Sequence, residues 1–264
     1  MWLMGAATAA TWPGDEDFSL PPLSAELYRP VVDGVGLSVD GADAGEGAVA
    51  DLVWTHQPLV FRRDAGDTVA LVGDLVGASI AAAGRAGPVR LEGYVPVYVV
   101  VASDLGAGSA VGDAWLGASL PRTLGSVAVA PVGRVGLPLG GDAWALGAGG
   151  WAGELGLNAS WRGPVAVGLN TGLTLVADEV AANVVVGDSL WVRGGTSYLR
   201  DHWRVGLEGV LRTPLSAFFV ADGNTPVEAM LSGGWRALRI GVGAGVLPGV
   251  GSPAWRLVVG AGTG

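Results

Sequence analysis

The chain has 264 residues, enough for one large all-β unit or two small domains, and its net charge of −9 argues against nucleic acid as a partner. Cys is absent and every basic residue is Arg, so neither a disulfide framework nor a Cys-based metal site is available. Half of the residues are hydrophobic, yet no window offers the roughly 20 uninterrupted apolar residues of a transmembrane helix, and the richest stretch, 240–255, is broken by glycines and two prolines.

In chain order, residues 1–11 are apolar and end in small residues (Ala7, Thr8, Ala9, Ala10), like the end of a secretory signal without its basic start. A signal remnant is expected there. Residues 13–46 carry Pro13, Pro21, Pro22 and Pro30 with Asp15, Glu16 and Asp17, and show little periodicity. They read as a lead or plug, so that 1–46 stands apart from a barrel unit at 47–264.

From Gly47 onward a two-residue alternation sets apolar bulk against polar groups, the mark of strands with one wet and one greasy face. In 47–61, Ala48, Ala50, Leu52 and Trp54 oppose Asp51, Thr55 and Gln57; 67–83 is weakly patterned; in 88–101 a valine row opposes Arg90, Glu92, Tyr94 and Tyr98. In 110–120, Leu116 and Leu120 oppose Asp113 and Ser119, and in 126–138 four apolar residues oppose Arg134. Segment 148–162 sets Trp151, Leu155, Leu157 and Trp161 against Glu154, Asn158, Ser160 and Arg162, and 164–177 sets Val165 to Leu175 against Asn170 and Thr174. In 184–198, Leu190, Val192 and Tyr198 oppose Ser189, Arg193 and Ser197; in 202–212, Trp203, Val205, Leu207 and Leu211 oppose Arg204, Glu208 and Arg212. The last three segments, 225–235, 238–246 and 254–262, oppose Glu228, Arg239 and Arg256 to apolar faces.

These are about twelve segments of the length that crosses a bilayer at a tilt. Short connections at 84–87, 121–125, 161–164, 199–202 and 236–238 alternate with longer ones at 102–109, 138–147, 177–183, 213–225 and 246–254. That rhythm predicts an all-β, antiparallel up-and-down transmembrane β-barrel, with short periplasmic turns, longer external loops and both termini periplasmic. The alternative, a soluble secreted β-sandwich binding module, would have no reason to keep it.

Sided in this way, the lumen is lined by Arg90, Glu92, Asp113, Arg134, Glu154, Arg162, Arg193, Arg204, Glu208, Arg212, Glu228, Arg236, Arg239 and Arg256, with Asp51 among them. Glu208 is expected to pair with Arg204 or Arg212, and Glu228 with Arg236 or Arg239, bracing the interior; the other reading is an Arg-rich constriction for anionic solutes. Tryptophans near strand ends fit an interfacial girdle: Trp54, Trp151, Trp161, Trp203, Trp235 and Trp255, with Trp115 and Trp191 grouped beside them.

No catalytic site is expected. Residues 187–190, Gly-Asp-Ser-Leu, are similar to a serine-esterase nucleophile block, but Ser189 runs into a strand, and Asp201-His202 has the wrong spacing for its partner, so an outer-membrane esterase is the lesser alternative. The glycines at 241, 243 and 245 read as small lumen-facing residues, and Asp222, Asn224 and Glu228 as a turn more readily than a Ca²⁺ site. No metal or cofactor is expected.

Several short blocks resemble the β-barrel domain found ahead of OmpA-like peptidoglycan-binding domains in Gram-negative bacteria: 25–30 (Ala-Glu-Leu-Tyr-Arg-Pro), 95–97 (Val-Pro-Val), 111–113 (Val-Gly-Asp), 137–140 (Leu-Pro-Leu-Gly), 187–190, 226–228 (Pro-Val-Glu) and, above all, 247–256 (Leu-Pro-Gly-Val-Gly-Ser-Pro-Ala-Trp-Arg). The resemblance implies a bacterial outer-membrane location, membrane lipid and the barrel-assembly machinery as partners, and a passive pore or structural role. The sequence departs from that pattern in lacking a C-terminal globular domain and a terminal aromatic residue, as a piece of a longer chain would.

Overall fold

The computed structural model describes residues 28–62, 68–102, 108–140, 150–176, 179–181, 184–216, 218, 225–247 and 252–263. These form sixteen strands: β1 (Gly47–Arg62), β2 (Thr68–Ala86), β3 (Val89–Ala102), β4 (Gly108–Val111), β5 (Ala114–Ser119), β6 (Arg122–Leu124), β7 (Val127–Leu137), β8 (Ala152–Trp161), β9 (Val165–Leu175), β10 (Glu179–Ala181), β11 (Val184–Val186), β12 (Ser189–Arg200), β13 (Trp203–Pro214), β14 (Val227–Trp235), β15 (Leu238–Leu247) and β16 (Trp255–Thr263). β4 and β5 both pair with β3, and β6 pairs with β7, so these three make one interrupted stave. β10 and β11 form a separate hairpin within a connection.

The remaining pairings are all antiparallel and run around a closed ring of twelve staves, because β1 pairs with β2 on one side and with β16 on the other, from Ala48↔Thr263 to His56↔Trp255. Closure leaves no sheet edge. It also overturns the sandwich alternative, since a single sheet rolls up on itself where a sandwich would stack two.

Five two- or three-residue turns lie at one end, after β2, β6, β8, β12 and β14, and Gly47 and Thr263 lie at that same end. Gly87 and Gly125 occupy them with φ of 61° and 63°, a region glycine enters without a Cβ penalty. Asp201 and Arg236 adopt φ of 52° and 53° in two others. The longer connections gather at the opposite end.

Where the elements differ from expectation, local chemistry explains it. β2 continues to Ala86, and the turn falls on Gly87-Pro88, since Gly87 supplies the positive φ that Gly84 does not need to. The fourth stave breaks at Gly112-Asp113, where the Gly112 N–H donates to Pro96 O and the Asp113 carboxylate accepts from Gly140 N. The segment expected at 184–198 divides into β11 and β12, and Trp151 lies just before β8.

Outward faces form continuous apolar rows: Leu207 pairs with Leu231, that with Val242, that with Leu257, and that with Trp54. Inward faces of the same strands carry Glu208, Glu228 and Arg256, all buried. Trp151 and Trp161 stand ten residues apart along one stave. At a rise of about 3.3 Å per residue and a tilt near 40°, that separation spans about 25 Å, the height of a lipid-facing band.

Candidate functional site: the filled lumen

Residues 28–46 run inside the barrel in a coil of tight turns, held by Val31 N to Leu37 O and Ala44 N to Gly41 O hydrogen bonds. Their apolar side chains pack on small inward residues of the wall. Leu37 meets Val53, Met230 and Val258; Val35 and Val39 meet Ala166; Val32 joins Val49, Ala81, Tyr94, Trp115 and Ala152. Wall glycines leave the necessary room. A Cβ on Gly241 would lie 2.5 Å from Leu37 Cδ1, one on Gly168 2.8 Å from Val39 Cγ1, and one on Gly195 3.1 Å from Val39 Cγ2. The glycine row read as small lumen-facing residues thus includes one, Gly241, that seats a side chain of this segment.

Polar groups of the wall bind the same segment. The buried Glu208 carboxylate accepts from Leu37 N (2.8 Å), Ser38 N (2.8 Å) and Ser38 Oγ (2.9 Å). Asn170 forms a two-way pair with the Asp40 backbone, accepting at 2.7 Å and donating at 2.9 Å, while Asn158 Nδ2 donates to Asp40 Oδ2. Ser160 Oγ accepts from Ala42 N and donates to Asp43. Arg239 donates to Val31 O and Leu37 O and lies 3.1 Å from Asp51, whose other oxygen accepts from Tyr28. Arg204 donates to Gly34 O, and Arg90 to Val32 O and Gly45 O. Arg29 makes a bidentate pair with Glu154 at 2.8 and 3.0 Å. Backbone groups in a coil have no ladder to join, and buried ones need partners; here side chains of the wall supply many of them.

Most residues assigned to the lumen from the sequence face inward: Arg90, Glu92, Asp113, Arg134, Glu154, Arg193, Arg204, Glu208, Arg212, Glu228, Arg239 and Arg256. Glu92 bridges Arg90 and Arg134, and Arg134 also approaches Glu154 at 3.4 Å. One assignment needs correction, and another sits at the rim of the lumen. Arg236 occupies a positive-φ turn, exposed, with its guanidinium 5.0 Å over the Trp235 ring. Arg162 lies in the connection after β8, half-exposed at the mouth, where it pairs with Asp43 (3.0 Å) and Asp33 (3.4 Å).

The expected carboxylate pairings also change. Glu208 spends both oxygens on the backbone and hydroxyl of the inner segment, where Arg204 or Arg212 was expected. Glu228 pairs in bidentate fashion with Arg256 at 2.8 and 3.1 Å, where Arg236 or Arg239 was expected. Arg256 is completely buried and stands over Tyr28. The alternation gave the side of each residue but no cross-strand register, and register decides partners.

The six tryptophans assigned to the interface, Trp54, Trp151, Trp161, Trp203, Trp235 and Trp255, are all exposed on the outside. Trp54 meets Trp255 edge-on at 5.2 Å and Trp203 tilts against Trp235 at 6.2 Å. Trp115 and Trp191 are different: both face inward and are buried. Trp191 fits a notch over Gly156 and Gly172, where added Cβ atoms would lie 3.1 and 2.7 Å from its Cζ2, and Arg29 stacks 4.5 Å over Trp115. Their parity with Asp113 and Arg193 was the available signal. Sequence reading missed Tyr28, Arg29, Asp33, Asp40 and Asp43 as site residues, because nothing periodic marks them.

Ser189 is buried at the loop end of β12, where its hydroxyl accepts from Arg212 Nε at 2.8 Å. His202 lies in the turn at the opposite end of the same hairpin, so the two do not form a Ser-His pair. Asp222 and Asn224 lie outside the described residues.

No family model matches the chain, and no curated protein matches it. Solved structures do share the fold. The NanC porin aligns with a TM-score of 0.55 at 8% identity over 82% of this chain and 97% of its own. An outer-membrane channel from Pseudomonas putida F1 aligns with a TM-score of 0.56 at 14% identity over 83% and 95%. The likeness is that of the barrel and does not bear on the association with OmpA-like domains.

Proposed function

We propose that this chain is an outer-membrane β-barrel whose lumen is occupied by its own segment 28–46, a passive barrel that conducts small solutes only when that segment leaves. The occupied lumen is the observation that carries the reading: wall carboxylates, amides and guanidinium groups are bonded to the segment. The apolar rows of the outer face, rimmed by tryptophan, form a surface far larger than a soluble monomer exposes, and support the membrane location. By the usual disposition of such barrels the turn end, with Gly47 and Thr263, is periplasmic.

The test is single-channel recording in planar bilayers of the full chain and of a chain lacking residues 1–46. The full chain is expected to be silent, and the shortened one to conduct in discrete steps. The wall left behind carries Arg90, Arg134, Arg193, Arg204, Arg212, Arg239 and Arg256 against six acids, so a salt gradient should give a weak anion preference. Silence of both forms would leave a structural barrel; equal conductance of both would refute closure by the segment.

A further inference from the structure

At the turn end, the outer rim of the barrel gathers aromatic rings and positive charge on one side. In register, Arg200 stands beside Trp203, Trp203 beside Trp235, and Trp235 beside Leu238, so the four form one row across β12, β13, β14 and β15. All four are exposed, as are Asp201, His202 and Arg236 in the turns after β12 and β14. Trp203 tilts against Trp235 at 6.2 Å, and the Arg236 guanidinium lies 5.0 Å over the Trp235 ring. An exposed tryptophan pair thus has one arginine beside it in register and another stacked upon it.

Neither guanidinium is taken up inside the protein. Among the described residues, the side chains of Arg200 and Arg236 make no hydrogen bond or ion pair, and Asp201, the one carboxylate of these two turns, engages neither. Other arginines of this end are already bound: Arg85 donates to Ala44 O, and Arg162 pairs with Asp33 and Asp43. Stacking on an indole covers the face of a guanidinium and leaves its N–H edge free, and that edge matches the oxygens of a phosphate. Two inter-strand steps, about 10 Å in all, separate Arg200 from Trp235, a gap that two long side chains can close from either side.

Toward the middle of the barrel the outward row continues as Val205, Gly233 and Ile240, then as Leu207, Leu231 and Val242. Gly233 puts no side chain between the exposed Val205 and Ile240, so a shallow furrow runs from the tryptophan pair down to Leu231. A free phosphate would leave that furrow empty. An acidic protein would reach the arginines and stop short of a furrow that lies at hydrocarbon depth. A molecule with a charged phosphate at one end and an acyl chain at the other answers both halves.

We infer that the rim formed by Arg200, Trp203, Trp235 and Arg236 is a binding site for one anionic phospholipid of the periplasmic leaflet. Its phosphate is held by the two arginines, and an acyl chain lies in the furrow at Gly233. The site rests on the membrane reading of the barrel, and is independent of whether the lumen opens.

Native mass spectrometry of the full chain in detergent tests this, with phosphatidylglycerol and phosphatidylcholine of the same acyl chains offered in equal amounts. The wild type is expected to retain one phosphatidylglycerol at least about fivefold more often than one phosphatidylcholine. Arg200→Gln combined with Arg236→Gln should remove the preference. Arg122→Gln takes away another exposed arginine of the same end, four strands from β12, and should leave the preference intact. No preference in the wild type, a preference kept by the double variant, or one lost equally in Arg122→Gln overturns the site. Should the double variant not fold, Arg236→Gln alone is expected to lower the preference by at least about half, and an unchanged value overturns the assignment. A chain that stays monodisperse without detergent would instead overturn the membrane reading, so the two failures are distinguishable.

Discussion

Glu208 shows how a single wall residue can govern the inner segment. Its carboxylate takes two backbone N–H groups and one hydroxyl of Leu37 and Ser38, all buried. Replacing it by Ala strands those donors at about 1–3 kcal/mol for each backbone group. Glu208→Ala is therefore expected to loosen residues 28–46 by about 3 kcal/mol, read as faster proteolysis of the segment while the barrel keeps its heat-modifiable gel mobility. Asp40 is the other decisive residue. Burial raises its carboxyl to about 6, Glu92 adds to the rise, and Arg90 and Arg134 oppose it. Its Oδ1 is buried without a hydrogen-bond partner. Because the folded value lies above the ordinary one, the folded form binds the proton more tightly. That contribution to stability is full below about pH 4 and is lost as the pH rises through about 6. Protease protection of the segment should be greater at pH 5 than at pH 7.5, and Asp40→Asn should abolish the difference.

At the scale of the strand, β13 states the design most plainly: Val205 and Leu207 face out, while Arg204, Glu208 and Val210 face in. Leu207→Arg, near the middle of its outward row, is expected to cost about 2–4 kcal/mol of folding into lipid vesicles, whereas the same substitution at the rim would cost less. A vesicle titration against urea reads this directly, and an unchanged midpoint would contradict a lipid-facing position. This sidedness was legible in the sequence because a strand's period of two needs no partner to be read. The staves were placed for the same reason, within a few residues, along with the short and long connections. Three things were not legible. Arg236 continues the inward charge set in sequence, but a positive φ turns it out onto Trp235. Trp191 depends on glycines of two other strands, at 156 and 172, to admit its ring. The Glu228–Arg256 pair depends on both sitting across β15, a matter of register. The inner segment has no period at all, and its contacts reach residues more than a hundred positions away.

For the molecule as a whole, the inner segment and the wall are complementary in kind. The wall offers carboxylates to backbone N–H groups and guanidinium groups to backbone carbonyls, so many polar groups of a coil with no secondary structure of its own find partners. Its charged side chains, Arg29 against Asp33, Asp40, Asp43 and Glu46, are mostly acidic and face a wall with one more arginine than acids. Buried ion pairs of this sort add little net stability but make a wrong fit expensive, because a single unpaired member is left in low dielectric. The interior is therefore specific for one arrangement.

The seam between β1 and β16 joins Ala48 to Thr263, the two ends of the ring. Every other stave pairs with a neighbour nearby in sequence, so those hairpins form early; the seam must close a loop of over two hundred residues and comes late. The inner segment leads directly into β1, one flank of that seam. Once β1 and β16 have zipped together, the segment is walled in on every side, with ends of the barrel as its only exits. A segment that settles before the seam closes meets an open wall, whereas one that arrives afterwards has to thread through an end of the barrel.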